Sequence, residues 1–591
     1  MHLVNQGHWR PAIVGLVAML LSACGGGGGG GGNGGGSNTV AVSGVVSYES
    51  VPPAAGCRGL DFAATVSRPI RGATVQLLNA STGVQLGSTV AGASGSYRFT
   101  GVPRDTNVTL RVRAELKDPS VPGWDVDVRD NYVEGGSDNG QIPPAGLFTR
   151  PLYVADSNAF STGTNDVLRN FTVSSGWDGV AYSGDRAAAA FAILDAIYQA
   201  IQFIRATDPN ADFAPLDVFW SVNNVGSASL DLTAGEIGTS SYFGSIDSLF
   251  ILGDADDDTD EFDRHIVVHE WGHYFEDNFS RSDSAGGAHF LGEALVAPLA
   301  FGEGWAHALA GMVLDNPVYC DTGVPGTSEG GGFSTETANL GTPGWFNEIS
   351  VATLLYDLWD TNIDGTDDRS IGFQPIYGVM TGPQIVTEGW TSIFSFATEL
   401  RASLGPDDAA FLDAQLDRED IVSGAELDVW ASNETNDAGV PGNISPLILP
   451  LYTDYTAGEP AINFCVDNYL DGLARHGNNP GEDRYLRISV PVTDEYEVRV
   501  VTTTPINPTP DPGDRDYSDP DIYIVRGSAP ELVGAGSSDT PGFEPTFRTD
   551  VPLVAGETYV AWVEEWRFDD PLTPASFPAR VCFDVSLGST P

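Results

Sequence analysis

Two histidines stand four residues apart in "DRHIVVHEWGHYFED", His269 and His273, with Glu270 directly after the first. On an α-helix such positions share a face about 6 Å apart along the axis, so both imidazoles can be offered to one ion. Phe262, Ile266, His269 and His273 fall on one stripe of the helical wheel, which turns the histidines inward, and Glu270 lies somewhat more than a quarter turn aside. Buried neutral imidazoles need hydrogen-bonding partners or a metal. The His-Glu-x-x-His spacing supplies two ligands and a carboxylate base, the set that metal-assisted hydrolysis requires.

A third ligand must come from elsewhere. His265 stands about 12 Å along the axis from His273, whereas zinc needs its ligands within roughly 2 Å of the ion. Extension of the motif to HExxHxxGxxH fails, because Glu276 and Phe279 occupy the glycine and third-histidine positions. Thirty residues past His273 lies "FGEGWAHALAGM", and as a helix it puts Glu303, Ala306, His307, Ala310 and Leu314 on one face. The small residues allow close approach to the first helix and would deliver Glu303 to the metal. Glu293 in "FLGEALV" is the alternative ligand, with Asp277 and Asp283 behind it. Three protein ligands leave a fourth position for water, whose pKa zinc lowers to about 7 and whose proton Glu270 can take.

This combination resembles the gluzincins, the zinc metallopeptidase clan of the thermolysin-like and fungalysin families, in which a glutamate on a second helix follows HExxH. The resemblance implies His269, His273 and Glu303 as zinc ligands, Glu270 as general base, and peptide-bond hydrolysis; endo rather than exo cleavage is expected, since the sequence carries no recognisable motif for gripping a free amino terminus. Thermolysin-like enzymes place an aspartate four residues after the glutamate ligand; here His307 stands there, to hold a ligand or simply to pack. The segment "WFNEISVATLLYDLWD" resembles the helix after the fungalysin glutamate. The oxyanion-steadying histidine of the clan has no clear match, and Tyr356 and His476 are the candidates for that role. By the same resemblance the "DSLFIL" strand should form the sheet edge and pair with substrate backbone.

The elements that must position these residues can be read along the chain. Arg10 precedes the apolar run "PAIVGLVAMLL", too short to span a bilayer as a mature helix, and "LSAC" ends it. This resembles a bacterial lipobox, which implies a signal peptide over 1–24, acylation of Cys24, and anchoring at the outer membrane or cell surface through the N-terminal lipid alone. A Gly-rich tether follows over 25–38. Residues 39–117 alternate as short strands and resemble the carboxypeptidase regulatory-like module, an Ig-like β-sandwich; "GSYRFTGVP" carries the likeness. Residues 118–478 hold the peptidase domain, with a long helix over Gly184–Ala206 and the quoted helix starting at an Asp258–Glu261 capping box. Residues 479–591 return to strands and resemble the prepeptidase C-terminal domain, particularly in "DPDIYIVRG". The expected fold is therefore multidomain, an α+β zinc-peptidase core, mostly helical around HExxH, flanked by two all-β sandwiches.

Composition bounds the partners. A formal net charge of −52, with Lys117 the only lysine, excludes nucleic acid, because nothing could neutralise phosphates. A protein or peptide substrate is the expected partner. In "DTNIDGTDD", Asp360, Asn362 and Asp364 alternate with Gly365 at the turn, the oxygen-rich spacing of calcium loops, although Ile371 replaces the closing glutamate. With Cys24 acylated, Cys57, Cys320, Cys465 and Cys582 allow three pairings in an oxidising compartment, and Cys320 with Cys465 is favoured as lying within one domain. The rival reading is a surface adhesion or scaffold lipoprotein with an inactive peptidase domain, which has no need of Glu270 beside both histidines.

Overall fold

The computed structural model describes residues 38–589 except 228, 338–339, 362–368, 470–477, 507–515, 537–545, 571 and 575. Cys24, the Gly-rich tract up to residue 37, Asn362, Asp364 and His476 lie outside the described residues.

Alternating residues make the N-terminal strands two-faced. In β1 (Thr39–Ser50), β2 (Val66–Pro69) and β5 (Ser96–Pro103), Val42, Val46, Tyr97, Phe99 and Val102 are buried, and β1 pairs antiparallel with the other two. The strands β3 (Ala73–Asn79), β4 (Gln85–Val90) and β6 (Asn107–Asp118) belong to a second sheet. That sheet runs on past the boundary expected at residue 117. β6 pairs with β7 (Trp124–Arg129) and with the short β8 (Val154–Asp156) and β9 (Phe160–Ser161), while β10 (Val167–Leu168) and β11 (Phe171–Val173) add parallel to β1.

The long helix expected from Gly184 is α1 (Ala188–Thr207), and β12 (Leu216–Trp220), β13 (Ser241–Phe243) and β14 (Ser248–Ile251) follow it. The full strand order is β13, β14, β12, β7, β6, β3, β4. β14 is internal and wholly buried, hydrogen-bonded on one side to β12 in parallel and on the other to β13 antiparallel. The "DSLFIL" strand is thus not the edge; β13 covers it.

Next come α2 (Arg264–Phe279), α3 (Ala297–Leu314), a hairpin of β15 (Val318–Thr322) and β16 (Gly330–Ser334), and α4 (Glu348–Trp359). The expected start of α2 at Asp258 is corrected to Arg264. Glu261 is paired with the buried guanidinium of Arg186 and Asp260 accepts from Ser240, so neither carboxylate is free to cap, and residues 260–263 close a turn with Asp263 N bonded to Asp260 O at 3.0 Å. One hydrophobic core runs from Val40 through these helices to Trp562.

Toward the C-terminus, β17 (Tyr452–Thr456), β19 (Asp483–Ser489), β21 (Pro520–Arg526), β22 (Glu531–Gly536) and β24 (Thr558–Glu565) share one sheet. A second holds β18 (Ile462–Asp467), β20 (Tyr496–Thr502), β23 (Thr546–Arg548) and β25 (Arg580–Ser589). β17 and β18 enter these sheets ahead of the boundary expected at residue 478. This decides the disulfides, and the expected Cys320–Cys465 pair is not formed. Cys465 on β18 lies directly opposite Cys582 on β25 and is bonded to it, with Cα atoms 3.9 Å apart. Cys57 is bonded to Cys320 on β15, Cα to Cα 5.2 Å, which ties the N-terminal sheets to the hairpin behind α3.

Candidate metal centre

Close packing of α2 on α3 builds the site. A Cβ placed on Gly272 would stand 3.0 Å from the Cα and 3.2 Å from the Cβ of Ala306, so only glycine permits this approach. Trp305 Nε1 donates to the Gly272 carbonyl at 3.3 Å and holds the register. One turn away, Glu303 Oε2 lies 3.1 Å from His269 Nε2 and 3.5 Å from His273 Nε2, and the two imidazole nitrogens are 3.1 Å apart. In a tetrahedral site with bonds of about 2.0–2.1 Å, donor atoms stand about 3.3–3.4 Å apart. The three edges match that figure, so the donor set fits one small divalent cation of the zinc type.

Electrostatics around the donors favours the same occupant. Burial, with His307 and His273 beside it, drives His269 down to about 3, which leaves an imidazole lone pair for coordination. Burial opposes charge on His273 too, but Glu303 outweighs it and holds His273 up to about 9. Glu303 in turn is held well below the usual carboxylate range, because His273 and His289 offset its burial. A divalent cation held by these groups would take the place of the His273 proton. Glu270 is buried and pushed up to about 8 by desolvation; its Oε2 accepts from Tyr242 N of β13 at 2.8 Å. Glu270 is therefore fixed to the sheet edge.

Of the other expected residues, His307 is buried at the back wall. Its ring lies 4.4 Å from that of His269 and 4.7 Å from that of Tyr319, and its Nε2 is 3.5 Å from Glu348 Oε2. His269 Nδ1 has no hydrogen-bond partner, so packing against His307 and Tyr319 orients that ring. His265 bonds the Asn316 carbonyl. Glu293 accepts from Phe290 N and Asn479, Asp277 faces the Tyr242 hydroxyl, and Asp283 binds Arg281 and Thr391 N, so none of the three joins the donor set. Tyr356 does not reach the site. It packs on Gly311 and Trp359, eight residues or about 12 Å along α4 from Glu348. Asp360 ends that helix, with its expected calcium partners outside the described residues.

Three contributors were missed at the level of sequence. His289 Nε2, on the loop before α3, is 3.5 Å from Glu303 Oε2 and 3.6 Å from Glu348 Oε2, and these carboxylates overcome its burial to hold it up to about 10. Glu348 opens α4, where Asn347 caps the helix through Ile349 N, and burial lifts it to about 7. Tyr319 stacks on Phe333 against both back-wall histidines. A usable signal existed for His289: five of the chain's eight histidines fall between 265 and 307.

The fold thus gathers two imidazole nitrogens and one carboxylate oxygen, with the buried carboxylate of Glu270 held against a sheet edge. Residues 230–407 match the family model of the Mycolysin C-terminal domain, a span that includes β13, every donor named above, Glu270 and Glu348. The chain is also similar to the 1.0 Å crystal structure of the pre-peptidase C-terminal domain of collagenase from Bacillus anthracis, at 7% identity and a TM-score of 0.15, covering 23% of this chain and 93% of that one. No curated protein matches the chain.

Proposed function

We propose that the chain is an exported zinc metallopeptidase that hydrolyses peptide bonds of extracellular proteins, anchored by lipid at Cys24. The observation that carries this reading is the triangle of His269 Nε2, His273 Nε2 and Glu303 Oε2, with edges of 3.1, 3.1 and 3.5 Å, beside a buried carboxylate. The Mycolysin-type match over the same residues supports it. Zinc in this triangle supplies Lewis acidity toward a carbonyl and toward water.

The chain's own groups do the rest. Glu270 accepts the proton of the attacking water and returns it to the leaving amine; desolvation, which raises its affinity for protons, suits both duties. Tyr242 N–H keeps one carboxylate oxygen turned toward the strand edge. β13 has β14 on one side only, so an extended substrate can add on its other side.

Glu270→Gln preserves shape and removes the base. The variant should retain one zinc per chain while casein cleavage falls by about 10²–10⁴-fold. Cleavage at the original rate would refute the assignment, and wild-type protein that binds zinc yet cleaves neither casein nor a peptide library would favour the scaffold reading.

A further inference from the structure

We propose that Asp258, Asp260, Asp263 and Asp321 form a calcium site that clamps the β15–β16 hairpin to the start of α2. Asp258, Asp260 and Asp321 each offer a carboxylate oxygen, and these oxygens all lie within 4.8 Å of one another. Oxygens about 2.4 Å from one calcium ion can stand no farther apart than about 4.8 Å, so the trio fits around a single ion. Asp263 borders the group: Asp321 and Asp258 repel its charge, and it in turn repels that of Asp260.

The independent sign of a ligand is unfilled hydrogen-bonding capacity deep in the protein. Asp260 is 3% exposed; its Oδ2 accepts from Ser240 Oγ, and its Oδ1 has no partner. Asp263 is 2% exposed; its Oδ2 accepts from both N and Oγ1 of Thr322 at 2.8 Å, and its Oδ1 has no partner. Thr259 Oγ1, between Asp258 and Asp260 in sequence, is also buried and has no partner among the described residues. Buried carboxylate oxygens without donors are costly unless a cation or a proton meets them. The Nη1 and Nη2 groups of the buried Arg186 guanidinium bond the Gly253 carbonyl and Glu261 instead. Burial and mutual repulsion lift Asp258 to about 7 and Asp260 well above its ordinary range, as expected of a site that holds protons when no metal is bound.

The donor set is all oxygen, which selects a hard cation over zinc. Asp321 is exposed and provides the entrance. The site shares no residue with the acidic run at 360–368 of the sequence. Its position gives it a structural consequence: Cys320 beside Asp321 carries the disulfide to Cys57, and Tyr319 one residue further back packs against His269 and His307. A cation here fixes the back wall of the metal centre.

The test uses the full chain, loaded with zinc, dialysed free of calcium and titrated with calcium, with terbium luminescence and metal analysis as readouts. Wild type should take up calcium at this site and gain several degrees in Tm, with zinc content unchanged. Asp321→Asn, at the exposed rim, should keep its circular dichroism and zinc but bind calcium about tenfold or more weakly, because one charged ligand is lost; Asp260→Asn should abolish uptake. A wild-type protein whose Tm and terbium signal ignore calcium would overturn the proposal. So would wild-type affinity in both variants together with loss of calcium in Asp360→Asn.

Discussion

Gly272→Ala tests whether the α2–α3 approach sets the metal geometry. The new Cβ would lie 3.0 and 3.2 Å from the Cα and Cβ of Ala306, whereas relaxed carbon contacts are about 3.5–4.0 Å. The helices must therefore part by about half an ångström. Glu303 is one turn before Ala306 on the same face and moves with it, stretching its 3.1 and 3.5 Å edges to His269 and His273 toward 4 Å, beyond the roughly 3.4 Å that a tetrahedral ion of this size spans. Stability responds less than affinity does. Overpacking costs about 1–3 kcal/mol, but alanine contributes about 1 kcal/mol over glycine in a helix interior, so the net loss is about 0–2 kcal/mol. Zinc affinity has no such offset and should fall about 10–100-fold, as when the support of a ligand is disturbed. Competition with a chromophoric chelator measures the affinity, and scanning calorimetry of the zinc-free protein measures the stability. Wild-type zinc affinity in a variant that has lost stability would show that the helix spacing does not govern the site.

Glu276 and Glu348 are buried and lifted to about 8 and about 7, so the metal-free fold holds their protons more tightly than the unfolded chain does. The stability they contribute is complete below the ordinary value of 4.5 and is lost as pH rises through 7 to 8. Urea midpoints of the metal-free protein should fall over that window, and Glu276→Gln should flatten the fall; a midpoint that rises with pH would contradict the assignment. Replacing Cys57 and Cys320 together by serine removes a link across 263 residues and should cost about 2–5 kcal/mol, seen as a lower Tm with the Cys465–Cys582 bond intact.

The two helices of the centre were legible because their signals are local. His269 and His273 share a face by spacing alone, and the small residues around Glu303 announce close packing before any partner is known. His289, Glu348 and Tyr319 were not legible, since each enters through a loop or element end whose position depends on contacts far along the chain. The edge strand was misplaced for a related reason. "DSLFIL" has the apolar run of a strand, but β13 is three residues long and half-buried, too short to register as a periodic pattern. The start of α2 failed differently: Asp258 and Glu261 have the spacing of a cap, yet tertiary partners had claimed the acidic run. Cysteine pairing turned on which sheet β18 joins, which composition does not encode.

The strands of residues 39–117 pack in two sheets. Their connections give them a further role. β6 carries β7 by antiparallel pairing, β7 carries β12 in parallel, and β12 carries β14 and through it β13, whose Tyr242 N–H holds Glu270. On the other side of the centre, Cys57 grips β15, whose Tyr319 packs behind His269. Glu270 and the back wall of the candidate metal centre are thus both referred, by hydrogen-bonded strands and by a covalent bond, to one N-terminal framework. A rigid scaffold of that kind is what a site needs when its donors must stay within a few tenths of an ångström of tetrahedral spacing.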